Sequence, residues 1–180
     1  MAIVGTTNPN ITKMFRIYAV SENGVEYLSG AASSITLPNI QFITDNITAA
    51  GFAGAFDMPA IGMPQATSMT IPFMNKSRQY FSMVNGYINT HVIIRGIEDE
   101  YDTALGIVKP IPFSVRVKGL TAGMNLGTLA QGQAGKPENS VNIAFFEYKR
   151  AGDTLLLWDL GLGIYKVAGI DMNAGNQLFS

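Results

Sequence analysis

The chain of 180 residues carries 12 lysines and arginines, 13 carboxylates, one histidine and no cysteine. This length predicts one domain, able to bury about 70% of the surface that its unfolded form exposes. Without cysteine, a disulfide framework, thiol catalysis and thiolate metal sites are excluded. The near-neutral charge balance, with no cluster of basic residues, argues against a nucleic-acid-binding surface.

Charged residues make up 14% of the chain and hydrophobic residues 47%, whereas an average soluble domain has about 25% charged residues. The low charge favours a protein that covers much of its surface with copies of itself. An ordinary hydrophobic monomer is the alternative. Neither a signal peptide nor an apolar run of about 18 residues is present, so secretion and a membrane span are not expected.

The first predicted elements are a loose arm and a short hairpin. Residues 1–12 are small and polar, which is typical of an N-terminal arm. From Lys13 to Val20 the side chains alternate between two different faces, as in a strand. Asn23 and Gly24 are a good turn signal, so the following residues are predicted to return as a second strand.

A long hairpin with very little charge is predicted for residues 34–73. Its arms run over 39–49 and 65–73, and a crown rich in glycine and proline lies between them at 50–64. Apolar and small polar residues alternate along both arms, and a bulge near Phe42 would explain a change of parity there. Such a hairpin is marginal in water by itself and needs cover. The residues expected to face the subunit core are Ile43, Ile47, Met69 and Ile71.

The rest of the chain is predicted to contain one helix and further strands. Residues 75–86 form the helix, with Asn75 as N-cap and an apolar stripe of Tyr80, Phe81, Met83 and Val84. Together the segments predict a mainly β sandwich or barrel with one short flanking helix. The later strands are predicted at 87–97, 104–120, 140–150, 154–159 and 164–167, with an acidic turn at 98–102, a glycine-rich loop at 119–139 and a loose C-terminal tail at 173–180.

No constellation of catalytic or metal-binding residues is recognisable. His91 lies within a predicted strand, and no nucleophile elbow G-x-S-x-G occurs, although a β-rich hydrolase using His91 remains an alternative. The segment AQGQAGKP lacks the first glycine and the final Ser or Thr of a phosphate loop. The carboxylates at 98–102 lack the spacing of a calcium loop. We therefore predict no enzyme activity, no cofactor and no metal site.

The hairpin and the second half of the chain carry an ordered set of motifs. SITLPNI leads into the crown AAGFAGAFDMP and the arm TIPF. A K-G strand at 117–120, a loop at 134–139, an aromatic strand at 141–149 and a final strand at 164–172 follow. In order and spacing, residues 14–173 resemble the major tail tube protein of contractile phage tails and R-type bacteriocins. The longer N-terminal arm is a departure from that pattern.

The resemblance implies a subunit that forms hexameric rings, stacked helically into a hollow tube inside a contractile sheath. The hairpins of all subunits would join one inner β-barrel. The implied partners are copies of the chain, the sheath protein, the baseplate and tail terminator, and tape measure proteins; DNA would be passing cargo, and no membrane is involved. The particle would be a virion tail or a phage-tail-like particle, assembled in the bacterial cytoplasm and released.

The parity of the hairpin then predicts roles for its residues. Its small polar face is expected to point to water inside the tube, and its crown is expected to contact the next ring. The predicted lumen-lining residues are Thr44, Asn46, Thr48, Ala66, Ser68 and Thr70, and the predicted inter-ring residues are Phe52, Phe56 and Met58. Besides the hydrolase, two alternatives stay open: the hexameric tube protein of a type VI secretion system, and a monomeric β-barrel with Trp158 and other aromatic residues lining a ligand cavity.

Overall fold

A computed structural model of the chain describes residues 8–21, 24–28, 33–48, 53–83 and 90–173. These residues form a mainly β fold with one short helix, which confirms the predicted fold class. The elements are β1 (Asn10–Ser21), β2 (Gly24–Tyr27), β3 (Phe42–Ile47), β4 (Phe56–Pro64), β5 (Ser68–Pro72), α1 (Arg78–Met83), β6 (Thr90–Asp102), β7 (Ile107–Asn125), β8 (Glu138–Arg150), β9 (Asp153–Asp159), β10 (Ile164–Val167) and β11 (Ile170–Asp171).

Nine of these strands form one antiparallel sheet. Its order is β11-β10-β9-β8-β7-β6-β1-β2, and β5 joins it beside β8. Strand β8 has two partners along one edge, because its first residues pair with β5 and its last residues pair with β9. The described strands do not close into a barrel, since β2 and β11 stand at opposite ends of the order. Strands β3 and β4 form a separate two-stranded sheet.

The core lies on one face of the large sheet and follows from strand alternation. Val92 and Ile94 of β6 are buried and oppose Val117 and Val115 of β7. Aromatic residues also belong to this buried cluster, and among them Trp158 is fully buried. The ligand-barrel alternative placed Trp158 and other aromatic residues around a cavity, whereas Trp158 packs among the side chains of this core. Other members of the core are Ile17, Leu28, Met69, Ile71, Phe73, Tyr80, Met83, Val141, Ile143, Phe146 and Tyr165.

The helix begins at Arg78, later than predicted. Ser77 is its cap, because the Ser77 hydroxyl accepts a hydrogen bond from the Tyr80 backbone N–H at 3.3 Å, so the assignment of Asn75 was wrong. Tyr80 is buried as predicted, but Phe81 is exposed. The Tyr80 hydroxyl lies 3.1 Å from the carbonyl oxygens of both Asn125 and Glu138, where β7 pairs with β8. Val84 and the end of the predicted helix lie outside the described residues.

The N-terminal arm is shorter than predicted, since β1 begins at Asn10. Pro9 accepts a hydrogen bond from the backbone N–H of Tyr101 at 3.0 Å, and Asn8 Nδ2 donates to the Glu100 carboxylate at 3.1 Å. The acidic segment 98–102 is part of β6 and not a turn; the turn follows at 103–106. Residues 1–7 and 174–180 lie outside the described part of the chain.

The glycine-rich segment 119–139 is only partly a loop. Strand β7 continues to Asn125 and β8 begins at Glu138, so the connection is confined to residues 126–137. Gly119 and Gly123 lie beside two register shifts in the pairing of β7 with β8. Glycine within a strand often marks such an irregular position. The high glycine content of this segment therefore predicted a loop where the strand in fact continues.

Candidate functional site: the hairpin and the outer face of the sheet

The β3–β4 hairpin has one polar face. Directly opposed residues of an antiparallel pair lie on the same side of the sheet. Asn46 opposes Asp57, and Thr44 opposes Pro59. Asn46 Nδ2 donates a hydrogen bond to Asp57 Oδ1 at 2.7 Å, which links the two strands on this side. We refer to Thr44, Asn46, Asp57 and Pro59 as the polar face of the hairpin.

The opposite side of the same hairpin is largely apolar. Asp45 opposes Met58 and Ile47 opposes Phe56, while Ile43 shares the parity of Asp45 and Ile47. These five residues are the apolar face of the hairpin. Its hydrophobic side chains are exposed: Ile43 by 47%, Ile47 by 38%, Phe56 by 55% and Met58 by 54%. The prediction that Ile43 and Ile47 face the subunit core was therefore wrong, because the core formed by the described residues does not cover them.

The arms of the predicted hairpin are corrected by the observed pairing. Residues 56–64, placed in the crown, form strand β4 and pair with β3. The predicted descending arm instead forms β5 and pairs with β8. The faces predicted for this arm are nevertheless confirmed, since Met69 and Ile71 are buried in the core. The expected irregularity near Phe42 is present as a register shift between Phe42 and Thr44, with the additional residues on β4.

The base of the hairpin is fixed to the body of the subunit. Phe42 packs edge-on against Tyr165 of β10, with ring centroids 5.4 Å apart. Gln65 donates its backbone N–H to the Gln41 carbonyl at 2.7 Å. Asn173 Nδ2 donates to the Gly62 carbonyl at 3.1 Å. The distal part of the hairpin, from Thr44 to Met58, has no comparable attachment among the described residues.

The structure brings only some of the predicted lumen residues together. Thr44 and Asn46 share the polar face of the hairpin, and Thr48 follows them in exposed chain. Ala66 is exposed in the connection between β4 and β5, while Ser68 and Thr70 are exposed on β5. The predicted residues that lie in strands are therefore divided between two sheets, with Thr44 and Asn46 on one and Ser68 and Thr70 on the other.

Two of the predicted inter-ring residues lie on the same hairpin as Thr44 and Asn46. Phe56 and Met58 are on the apolar face of the hairpin, within a strand and not a crown. Phe52 lies outside the described residues.

A basic surface on the outer face of the large sheet was missed by sequence reasoning. Arg16 of β1 directly opposes Arg95 of β6. The Arg16 guanidinium lies over the Tyr27 ring at 5.7 Å, and that of Arg95 over the Tyr18 ring at 5.9 Å. Alternation along β1 predicts two faces, but no sequence signal pairs residues 16 and 95. With Met14 and Ile97, which also oppose each other, these four residues form what we call the arginine patch.

His91 lies on the same outer face, opposite Lys118. Burial, with Lys118 and Arg116 nearby, lowers the pKa of its imidazole. Its Nε2 is buried and has no hydrogen-bond partner among the described residues. The hydrolase alternative requires a nucleophile hydrogen-bonded to this ring, and the described residues do not supply one. The lowered pKa is consistent with a positive potential over this face.

Two further classes of site are not found in the described part of the chain. No group of three or more His, Asp or Glu residues there could hold a metal ion. The carboxylates at 98–102 instead meet basic side chains, such as Asp102 with Lys109 at 2.7 Å and Asp99 with Lys13 at 3.2 Å. No helix among the described residues has the length and apolarity needed to span a bilayer.

Known structures share this fold. The chain is similar to a chain described as the sheath/tube terminator of PVC, an extracellular contractile injection system, in the extended state. The TM-score is 0.54 with 13% identity, over 82% of this chain and 99% of that chain. The PVC sheath-tube complex in the extended state gives a TM-score of 0.52 with 12% identity, over 78% and 91%. At such identities the likeness is one of fold.

Sequence comparison gives a family. A search of curated proteins finds no significant match. In contrast, the family model described as phage tail tube protein FII matches residues 9–177, which is nearly the whole sequence. This span includes the hairpin, the helix and every strand of the large sheet. The chain therefore belongs to the phage tail tube protein FII family.

Proposed function

We propose that the chain is a structural subunit of the inner tube of a contractile tail or tail-like particle. Its copies form hexameric rings, and the rings stack into a hollow channel. The observation that carries this proposal is the apolar face of the hairpin, on which four large hydrophobic side chains are exposed in the isolated chain. A two-stranded sheet of this kind is marginal in water, and copies of the subunit would cover it.

The polar face of the hairpin would then form part of the channel wall. Hydroxyl, amide and carboxylate groups remain solvated there, while both edges of the hairpin pair with neighbouring hairpins. Asp57 shares this face with Asn46 and would add negative charge to the wall. The residues that we assign to the lumen are Thr44, Asn46, Thr48, Ala66, Ser68 and Thr70.

Contacts between rings would use the distal part of the hairpin. Phe56 and Met58 are exposed at the beginning of β4, and Phe52, which precedes them in the sequence, is the third residue that we assign to these contacts. Aromatic residues and methionine are enriched at the centres of protein interfaces, which supports this role.

The surroundings of such a subunit follow from its place in the particle. The known structures that share its fold come from a sheath/tube terminator and a sheath-tube complex, which supports sheath and terminator proteins as partners. Baseplate and tape measure proteins would complete the tail, and DNA would pass without specific binding. The whole chain would act as one tube domain without enzymatic activity, assembled in the bacterial cytoplasm and released with the particle.

Negative-stain electron microscopy of the purified chain tests the proposal. We expect hollow tubes of uniform width, with six-fold symmetry in end-on views. A protein that stays monomeric over a wide range of concentration and salt would contradict the tube. Saturable binding of an apolar small molecule by that monomer would favour a ligand-binding protein in its place.

A further inference from the structure

Two surfaces of the subunit lack a partner within the described chain and complement each other. We infer that the apolar face of the hairpin docks on the arginine patch of a neighbouring copy, with Asp45 placed between Arg16 and Arg95. This inference rests on the proposed function, because the two surfaces meet only when subunits assemble.

The arginine patch has a cationic centre that lacks an anion. Arg16 and Arg95 are directly opposed, and like charges in this position destabilise a sheet. Each guanidinium is held over a tyrosine ring, and the rings of Tyr18 and Tyr27 lie 5.7 Å apart. Among the described residues neither arginine has an ion pair with a carboxylate. A carboxylate placed between them would relieve the repulsion and bind two guanidinium groups that are already oriented.

Apolar side chains surround this centre. Met14 and Ile97 oppose each other on the same face and are exposed. Together with Phe15 and Gly96 they line a shallow cavity of about 240 Å³ that also includes both arginines. A protruding apolar side chain fits such a depression. The patch therefore suits a partner surface that is hydrophobic and carries a negative charge near its middle.

The apolar face of the hairpin has these properties. Asp45 is flanked along β3 by Ile43 and Ile47 and opposes Met58 on β4. Its carboxylate accepts a hydrogen bond from the backbone N–H of Asn46 at 2.9 Å. No cation of the described chain pairs with it. Burying this face without a cation would leave Asp45 charged and unpaired, which is costly. A partner surface with a cationic centre, such as the arginine patch, would pair with the carboxylate and remove that cost.

Within one chain, the base of the hairpin and the arginine patch lie towards opposite ends of the large sheet. Its base contacts Tyr165 of β10 and Asn173, which follows β11, whereas the patch lies on β1 and β6 towards the other end of the order. A hairpin at one edge and its receptor at the opposite edge produce a head-to-tail contact. Repeated from copy to copy, such a contact gives a closed ring or a helical stack. A second copy of the chain is therefore the occupant that the two surfaces favour.

Charge reversal tests this contact in the complete chain. Asp45→Lys alone, and Arg16→Glu with Arg95→Glu, are each expected to reduce the yield of sedimentable tubes about tenfold or more. The triple variant that combines all three substitutions restores the opposite charges and is expected to recover tubes. Glu138→Lys is the control for charge reversal itself, since Glu138 is exposed at the start of β8 and belongs to neither surface; we expect it to assemble like the wild type. Circular dichroism confirms that each variant is folded.

Cysteine crosslinking gives a second measurement with the native charges. Because the chain has no cysteine, Ile47→Cys with Ile97→Cys introduces one defined pair. On oxidation, tubes are expected to give a ladder of linked subunits in a denaturing gel, and each single variant is expected to give no species larger than a dimer. Thr44→Cys with Ile97→Cys, which places the thiol on the polar face, is expected to give no ladder.

Two results would overturn the inference while leaving the tube intact. One is wild-type assembly by both the Asp45→Lys variant and the double arginine variant. The other is tube formation by the Ile47→Cys, Ile97→Cys variant without any crosslinked ladder. If the arginine variant forms normal tubes but no longer binds another component of the particle, the patch belongs to a different acidic protein. Absence of tubes from the wild-type chain would instead contradict the proposed function.

Discussion

At the scale of single residues, Arg150 connects the N-terminal segment to the end of β6. Its Nε lies 3.1 Å from Glu98 Oε2, and its Nη2 contacts the Glu100 carboxylate. Asn8 and Asn10 donate hydrogen bonds to the same two carboxylates. The acidic segment is a strand and not a solvated turn because its carboxylates find donors on β1, β8 and the N-terminal segment.

These contacts predict a loss of stability in acid. Hydrogen bonds from Arg150 and then Asn8 hold the pKa of Glu100 below its ordinary value of 4.5. A carboxyl whose pKa is depressed by folding stabilises the fold fully above its ordinary pKa, and this contribution disappears as the pH falls through the depressed value. Thermal melting of the subunit between pH 7 and pH 3 should therefore show a smaller acid-induced decrease in Tm for Glu100→Gln than for the wild type.

Glu138→Gln is the control for this experiment, because Glu138 is exposed at the start of β8 and is remote from Arg150 in the strand. Its melting curve is expected to follow the wild type at every pH. An acid-induced decrease in Tm that is identical in Glu100→Gln and the wild type would show that the Arg150 contact does not depress the carboxyl pKa.

At the scale of elements, the hairpin depends on how its base meets the body. Gly62 is buried, has φ of +86°, and lies against the Asn173 side chain. A Cβ at this position would overlap Asn173 Oδ1. Glycine is needed here for both its conformation and its size. Gly54, nearer the end of the hairpin, has open space around its Cα.

Substitution of the two glycines should separate these effects. Gly62→Ala is expected to destabilise the subunit by about 1 to 3 kcal/mol, since it combines an unfavourable φ with a steric overlap. Gly54→Ala is expected to change the free energy of unfolding by less than about 0.5 kcal/mol. Urea denaturation measures both values. Equal effects of the two substitutions would contradict the close packing of the hairpin base.

Strand alternation in the sequence predicted which residues share a face, but not what covers each face. Met69 and Ile71 follow the rule and are buried, because β5 joins the large sheet. Ile43 and Ile47 have an equally regular pattern, yet they are exposed on a strand that leaves the body. The prolines of β4 led to the prediction that this segment belongs to the crown, although proline is tolerated on an edge strand. The arginine patch depends on a pairing between β1 and β6 that is remote in sequence.

At the scale of the whole molecule, the subunit leaves several surfaces incomplete. The hairpin is a two-stranded sheet, and each strand of it lacks a partner on its outer side among the described strands. Exposed strand edges of this kind are templates for pairing with another chain. Together with the exposed apolar face, they favour a subunit whose hairpin is completed only by assembly.

A single substitution should therefore separate folding from assembly. Phe56 is exposed on the apolar face of the hairpin, so Phe56→Glu is expected to leave the fold and its melting temperature nearly unchanged. In a tube the same change would place a charge in a hydrophobic interface, and we expect polymerisation to be lost. Sedimentation and circular dichroism measure the two properties. The matched control is Leu162→Glu, which alters an exposed leucine between β9 and β10. Normal tubes from Phe56→Glu would exclude Phe56 from the interfaces.

The most direct measurement is a cryo-EM reconstruction of the assembled tube at side-chain resolution. We expect Thr44 and Asn46 to face the bore, and Ile43, Ile47 and Met58 to be covered by a neighbouring copy. The opposite parity, with the isoleucines in the bore and the polar face in the interface, would contradict the central claim that the hairpin forms the channel wall with its polar face.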